Sequence, residues 1–236
     1  PTLDFRSLSL AEAVLDALRA IKPDVMVEFR QAYIGPVMRK YGNIFRVGDE
    51  PNNFAGNRIN SMLLRNLSGN TAIHSDMVMW HPDDPVESAA MQLIHSAFTV
   101  PQISVNLESI PTTHVAMIRR YLAFWRAHRD VLLDGHLQPL QPQHAFPVVI
   151  SESDDKVAAA AYANGFIPLP AIKSRQVILI NGTLEKRVAI EIPDDLGARR
   201  VQIWSCTGDR VLDESRELPA GLHSLPIPPA GTAHLN

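Results

Sequence analysis

The first 137 residues alternate between apolar positions at helical spacing and short continuous apolar runs. Helical spacing predicts helices, which we place at residues 9–21, 36–41, 54–67, 84–98 and 112–133. Apolar runs that turn polar predict strands, which we place at residues 25–31, 43–49, 71–80 and 102–107. Short buried strands separated by helices indicate parallel pairing through right-handed crossovers. The pattern therefore predicts an α/β architecture, either half of a (β/α)8 barrel or a doubly wound open sheet.

Capping motifs in the sequence predict where two of these helices begin. Ser9 and Glu12 have the spacing of a capping box, which predicts that the first helix begins at Ser9. Its expected apolar face consists of Leu10, Val14, Leu18 and Ile21. Asp84 followed by Pro85 predicts a later helix with Asp84 as the N-cap and Pro85 at the first helical position.

The pattern changes near residue 138. A proline-punctuated stretch, LQPLQPQHAFP, is typical of a linker, and helical periodicity stops after it. Strand-like runs separated by hairpin-type turns follow at 146–151, 156–163, 175–181, 187–192, 200–206 and 221–227. We predict a barrel-type unit over 1–137 and a small antiparallel β-sandwich over 138–236. The run at 156–163, KVAAAAYA, has helical propensity, but the turns on both sides favour a strand.

Composition removes several classes of partner. The 236 residues carry a net charge of −3 and no basic stripe, which excludes a typical nucleic-acid surface. The sequence contains no run of 18 or more apolar residues, so it predicts no membrane span. The single cysteine, Cys206, cannot form an intrachain disulfide. The first ten residues lack a starting Met and a signal-peptide pattern, so we expect a piece of a longer chain, either cytoplasmic or periplasmic/secreted.

Asp49 is the first candidate for chemistry. It follows the apolar run Asn43–Val47 and Gly48, at the carboxyl end of a predicted parallel strand, where active sites gather. Strand alternation places Asp49 on the face of Phe45 and Val47, opposite Arg46. Asp49 is either an ordinary turn residue or a general acid, whose carboxyl group needs a partly dry cleft.

The neighbouring strands also end in polar groups. Glu28, Arg30 and Gln31 form either a structural salt bridge at the rim or a set of donors and acceptors for sugar hydroxyl groups. In the third predicted strand His74 and Asp76 share a face, and Trp80 and His81 follow. No HExxH motif or second tight His pair supports a zinc site there. Trp80 either stacks on a sugar or packs in the core.

Several stretches resemble a known family. EFRQAYIGPVMRKYGNIFRVGDEPNN, NTAIHSDMVMWHPDDPVESAAMQLI and VPQISVNLESIP, with the later FWRAHRDVLLDG, resemble the C-terminal half of glycoside hydrolase family 36, the α-galactosidase clan. The resemblance implies the C-terminal half of a (β/α)8 barrel followed by an antiparallel β domain. It implies retaining hydrolysis without a metal or cofactor, in which Asp49 matches the general acid/base at the end of barrel strand 6. The substrate, an α-galactoside or related oligosaccharide, would contact residues drawn from the polar strand ends: Glu28, Arg30, Gln31, Arg46, Asp76 and Trp80.

The match departs from the family in two places. The acid/base usually stands in a Ser-Asp-Asp-like setting and here stands in Val-Gly-Asp-Glu, which makes Glu50 a rival to Asp49. The nucleophile is expected before the first helix, and Asp4 has too few residues before it to end a barrel strand. Because retaining chemistry needs two carboxyl groups roughly 5–5.5 Å apart, we expect inactivity without the N-terminal remainder of the enzyme. Alternatives are a non-catalytic carbohydrate-binding protein, or a relative acting on another glycoside; a homo-oligomer is also possible.

Overall fold

A computed structural model describes residues 5–30, 35–49, 51–69, 71–75, 77–172 and 175–236. Its α-helices are α1 (Phe5–Ile21), α2 (Phe54–Ser68), α3 (Val86–Ile94) and α4 (Thr112–Arg129). The first strands are β1 (Glu28–Arg30), β2 (Ile44–Arg46), β3 (Ala72–His74), β4 (His136–Leu140), β5 (Val148–Glu152), β6 (Lys156–Ala161) and β7 (Phe166–Pro168). The remaining strands are β8 (Gln176–Asn181), β9 (Val188–Ile192), β10 (Ala198–Trp204), β11 (Arg210–Glu217), β12 (Gly221–Leu225) and β13 (Thr232–Leu235). No helix in the described ranges is long and apolar enough to cross a membrane.

The N-terminal part contains a parallel sheet in the order β1-β2-β3. A helix lies between β2 and β3, as the alternating pattern predicted. The predicted fourth strand at 102–107 is reduced to one isolated parallel bridge, Val78–Ile103, and a second isolated bridge, His74–Val100, lies just before it. The described residues thus form a three-stranded sheet with a bridged fourth segment, and they show no closed barrel.

The first helix differs from its prediction in both start and orientation. It begins at Phe5, so Ser9 lies inside the helix and does not cap it. Within residues 8–21 of α1, Leu15 is buried, and Leu8 and Ala11 are partly buried beside it. The face predicted to be buried is exposed; it consists of Leu10, Val14, Leu18 and Ile21. The helix carries two apolar stripes about 100° apart, and spacing alone did not decide which one packs on the sheet.

The start of α3 also corrects an expectation. The residue preceding the helix is Pro85, with no side-chain cap. Asp84 instead accepts a hydrogen bond of 2.9 Å from the backbone N–H of His81, closing the preceding turn. Asp84 therefore stabilises the loop and not the helix terminus.

One arginine closes the end of α4. The helix continues from Asp130 to Asp134 as a π-helical turn, close to the predicted end at 133. Arg65, in α2, donates 2.7 Å bonds from Nη1 to the carbonyl oxygens of Phe98 and Leu132, and a 2.6 Å bond from Nη2 to that of Leu133. Burial lowers the pKa of Arg65 to about 10, so the guanidinium stays charged near neutral pH. Arg65 ties α2 to the segment that follows α3 and to the π turn.

The C-terminal part is a two-sheet sandwich covered by helices. The large sheet has the order β11-β10-β13-β8-β6-β5-β4, and the small sheet has the order β12-β9-β7. All pairs are antiparallel except β6–β8 and β7–β9. The expected antiparallel sandwich is therefore confirmed as a mostly antiparallel one.

Strand β6 explains why an alanine-rich run forms a strand here. Ala158 and Ala160 pack on one side against α3 and α4, while Val157, Ala159 and Ala161 pack on the other side with the small sheet. Both faces of β6 are buried, so small side chains fit between two layers. The prediction of a strand over 156–163 is confirmed for residues 156–161.

The proline-punctuated stretch is not only a linker. Residues 136–140 form β4, which pairs antiparallel with β5 at the edge of the large sheet. Pro139 is tolerated because an edge strand pairs on one side only. The predicted boundary after residue 137 falls within this strand. The sequence analysis also missed β7, β11 and β13.

Candidate functional site

Parallel pairing brings three polar side chains into one row. Arg30, Arg46 and His74 are register partners across β1, β2 and β3, so they share one face of the sheet. The adjacent row lies on the opposite face; it consists of Phe29, Phe45 and Ile73, which belong to the core beneath α1 and α2. Alternation within three short strands therefore directs the charged row away from the helices.

Asp49 joins this row from the segment after β2. Its Oδ2 accepts a 2.8 Å hydrogen bond from Nη2 of Arg30, and its Oδ1 pairs with Nη2 of Arg46. The expected placement of Asp49 on the face of Val47 is wrong. Because β2 ends at Arg46, the alternation stops there; Val47 is buried, while Asp49 turns back to the arginines.

Glu28 and His74 form the second contact. Oε2 of Glu28 lies 3.1 Å from Nε2 of His74, linking the two outer strands. Since an ionised carboxylate only accepts, Nε2 carries the proton. Nδ1 of His74 is buried and has no hydrogen-bond partner among the described residues. His74 is thus a nearly buried residue that positions Glu28, a contact that the sequence analysis missed.

We call these five residues the strand-end cluster: Glu28, Arg30, Arg46, Asp49 and His74. It combines two carboxylates with two guanidinium groups and one imidazole, so it offers both acceptors and donors to hydroxyl groups. Two guanidinium groups against one carboxylate favour the ionised form of Asp49. The side chain of Arg46 is only 12% exposed, whereas that of Arg30 is 49% exposed. Arg46 is therefore held in place, and Arg30 has room to reach a ligand.

The other predicted site residues divide into two groups. Trp80 is 4% exposed in the core under α3 and α4, and its Nε1 donates a 3.1 Å bond to Nδ1 of His114. It offers no open ring face for a sugar, and it does not belong to the strand-end cluster. Gln31 and Asp76 lie outside the described residues, as do Asp4 and the rival acid Glu50.

No group of three or more His, Cys, Asp or Glu side chains that could hold a metal ion occurs in the part of the chain that the structure describes. The strand-end cluster contains two carboxylates and a histidine, but its arginines already occupy Asp49. The arrangement suits hydrogen bonding and proton transfer.

Comparison with known proteins finds no matching family model and no curated protein of significant sequence similarity. The family resemblance rests on the stretches quoted above.

Proposed function

We propose that this chain carries the acid/base half of a retaining glycoside hydrolase site of the α-galactosidase type. The observation that supports it most is the position of Asp49, at the end of a parallel strand and between Arg30 and Arg46. The ends of parallel strands are where barrel enzymes place their catalytic groups. The family resemblance gives the same residue the role of proton donor and base.

In this proposal the N-terminal part is the C-terminal half of a (β/α)8 barrel. Strands β1, β2 and β3 would be barrel strands 5, 6 and 7, and the bridged segment near Ile103 would be strand 8. Their spatial order follows the chain order, as adjacent strands of a barrel do. The sandwich would be the β domain that follows the barrel.

Asp49 would act twice in the reaction. It would first give a proton to the leaving oxygen, and then take a proton from the water that releases the sugar. Its pairing with two arginines suits the second step, because the carboxylate is then ionised. For the first step a guanidinium group must leave Asp49, and the more exposed Arg30 would do so by turning to sugar hydroxyl groups. Glu28, held by His74, would contact the same sugar.

A partner segment would complete the site. β1 stands at one end of the described sheet order β1-β2-β3, where a further parallel strand would be added. Beside it, the outer stripe of α1 exposes apolar side chains, namely Leu10, Val14, Leu18 and Ile21. A sheet end next to an apolar helical face fits a βα unit from the N-terminal remainder of the enzyme, which would supply the nucleophile.

Hydrolysis of an aryl α-galactoside tests this proposal. We expect no hydrolysis by residues 1–236 alone, and hydrolysis by the enzyme that contains them. In that enzyme Asp49→Asn should abolish turnover of natural substrates, whereas Asp24→Asn should not, since Asp24 is an exposed acid paired with Lys22. Hydrolysis at a normal rate by residues 1–236 alone would reject the incomplete-site proposal.

A second candidate is a non-catalytic carbohydrate-binding protein on the same fold. The double ion pair of Asp49 favours it, because a carboxylate paired with two arginines is a hydroxyl acceptor that needs no proton. Binding of a galactoside by the complete protein, without turnover, would support this candidate. A relative acting on another glycoside would instead hydrolyse that substrate in an Asp49-dependent way.

A further inference from the structure

A cleft opens at one end of the sandwich, away from the strand-end cluster. Two loops line it, at 162–165 between β6 and β7 and at 182–187 between β8 and β9, and its volume is about 570 Å³. A second depression of about 270 Å³ shares Asn164 and Gly165 with it and extends to Phe166 and Pro168. The two depressions adjoin at these shared residues, and we call them together the groove; the larger one is in the size range of ligand sites.

One wall of the cleft is fixed by a buried asparagine. Asn181 is fully buried, and its Nδ2 donates 2.8 Å bonds to the carbonyl oxygens of Glu185 and Ile227. Its Oδ1 accepts a 3.0 Å bond from the N–H of Thr183 and a 2.7 Å bond from the Thr183 hydroxyl. These hydrogen bonds fix the backbone of the loop that carries Glu185 and Lys186, and a pre-organised loop lowers the entropic cost of binding.

Arg187 is held on the same wall. Its Nε donates a 2.8 Å bond to Oγ of Ser224, and its Nη2 donates a 2.9 Å bond to the Ser224 carbonyl oxygen. The partner atoms are neutral, so the positive charge of Arg187 remains available to the cleft.

Three other polar side chains in the cleft have hydrogen-bonding groups that no described residue engages. Those of Asn164, Glu185 and Lys186 make no hydrogen bond or ion pair with any residue that the structure describes. Glu185 is an acceptor, Lys186 is a donor and Asn164 is both. Such a mixture matches hydroxyl groups, each of which both donates and accepts. Glu185 would repel a small anion, and Lys186 and Arg187 would repel a small cation.

An exposed aromatic ring completes the groove. Phe166 is 46% exposed although it is a large apolar residue. It lines the second depression together with Pro168, next to Asn164. A partly exposed ring beside hydrogen-bonding groups provides an apolar platform for the carbon face of a sugar. We propose that this groove binds a neutral oligosaccharide, with Asn164 and Glu185 as hydroxyl partners and Phe166 as the stacking platform.

Titration of residues 1–236 with raffinose, a neutral galactose-containing trisaccharide, followed by NMR, tests the proposal. We expect amide shift changes at 162–166 and 182–187. Asn164→Ala, Glu185→Ala and Phe166→Ala should each weaken binding about tenfold. Glu214→Ala is the matched control, since Glu214 is an exposed acid on β11, at the far edge of the large sheet, and should leave binding unchanged.

The proposal is overturned if millimolar raffinose moves no amide in these two loops, or if Glu185→Ala and Glu214→Ala affect binding equally. Tighter binding of a galacturonate trisaccharide than of raffinose would also reject a neutral ligand. The inference does not depend on the proposed enzyme activity. Asp49→Asn should leave raffinose binding in the groove intact. Absence of raffinose binding would therefore reject the groove proposal, and absence of Asp49-dependent hydrolysis would reject the enzyme proposal.

Discussion

Arg30 at the end of β1 donates a 2.8 Å hydrogen bond to Asp49, 19 positions later in the chain and just beyond β2. Arg46 holds the other carboxylate oxygen. An acid between two guanidinium groups is kept ionised, yet the proposed first step needs it protonated. The contact between Arg30 and Asp49 therefore becomes the feature that substrate binding has to change.

Removal of Arg30 should alter the pH dependence of hydrolysis. In the complete enzyme that we propose, Arg30→Ala would leave one guanidinium group on Asp49, so the protonated acid would persist to higher pH. We expect the alkaline limb of the kcat/KM profile to move to higher pH, with a raised KM from the lost hydroxyl contact. Arg30→Lys should keep the position of the limb near that of the unchanged enzyme. If the alkaline limb of the Arg30→Ala profile stays where it is in the unchanged enzyme, Arg30 does not control the protonation of Asp49.

Arg65 should contribute strongly to stability. Arg65→Ala leaves the carbonyl oxygens of Phe98, Leu132 and Leu133 without their donor. We expect a loss of about 3 kcal/mol in the free energy of unfolding, measured by urea denaturation. Arg126→Ala is the control on an exposed helix position and should change stability by less than about 0.5 kcal/mol. Equal losses in the two variants would remove the structural role assigned to Arg65.

Three histidines with lowered pKa values, of which His95 and His128 are buried and His234 is half-buried, predict acid destabilisation. Burial, aided by Arg58, lowers the pKa of His95 to about 3. Burial, aided by Lys156, lowers that of His128 to about 4, and burial, aided by His128, lowers that of His234 to about 3. In the unfolded chain each would titrate near its ordinary pKa of about 6.5. The unfolded state therefore binds more protons below that pH, and stability should fall as the pH decreases.

Urea midpoints measured between about pH 7 and pH 4 test this expectation. The midpoint should decline steadily as the pH falls below about 6.5. His128→Phe, which keeps an aromatic ring beside Phe124 and His234, should reduce the slope. His81→Ala should not, because the His81 side chain is 70% exposed. A slope that is the same in all three proteins would contradict burial of His128 in its neutral form.

The two apolar stripes of α1 should respond differently to truncation. Leu15→Ala empties a site that is 5% exposed and should cost about 2–5 kcal/mol. Leu10→Ala, at a position that is 67% exposed, should change the stability of residues 1–236 by less than about 0.5 kcal/mol. In the complete enzyme that we propose, Leu10→Ala should be destabilising, because a partner segment would cover the outer stripe. Thermal unfolding of Leu15→Ala and Leu10→Ala, measured in residues 1–236 and in the proposed complete enzyme, tests these expectations.

The sequence predicted most elements because their patterns are local. Strand β6 was identified from the turns on its two sides, and burial on both faces explains the absence of polar alternation. Helix α1 was identified but its buried face was not, since that depends on which stripe meets Phe45 and Met38. Strand β4 was missed because its proline is acceptable only at a sheet edge, and the edge is a property of the assembled sheet.

The site followed the same division. The polar strand ends were visible in the sequence, so Glu28, Arg30, Arg46 and Asp49 were all candidates. Their pairing was not visible, because it depends on the register that sets Arg30 beside Arg46 and on β2 ending before Asp49. Trp80 is of the residue type expected for stacking on a sugar, but only the packed structure shows that its ring is enclosed.

The most direct test of the account is the leaving-group dependence of Asp49→Ala in the complete enzyme that we propose. If Asp49 protonates the leaving oxygen, the variant should still form the glycosyl-enzyme from aryl α-galactosides with activated leaving groups. Its rate on unactivated galactosides should fall by about 100-fold or more relative to the unchanged enzyme. An equal loss of rate on activated and unactivated substrates would contradict the assignment of Asp49 as the acid.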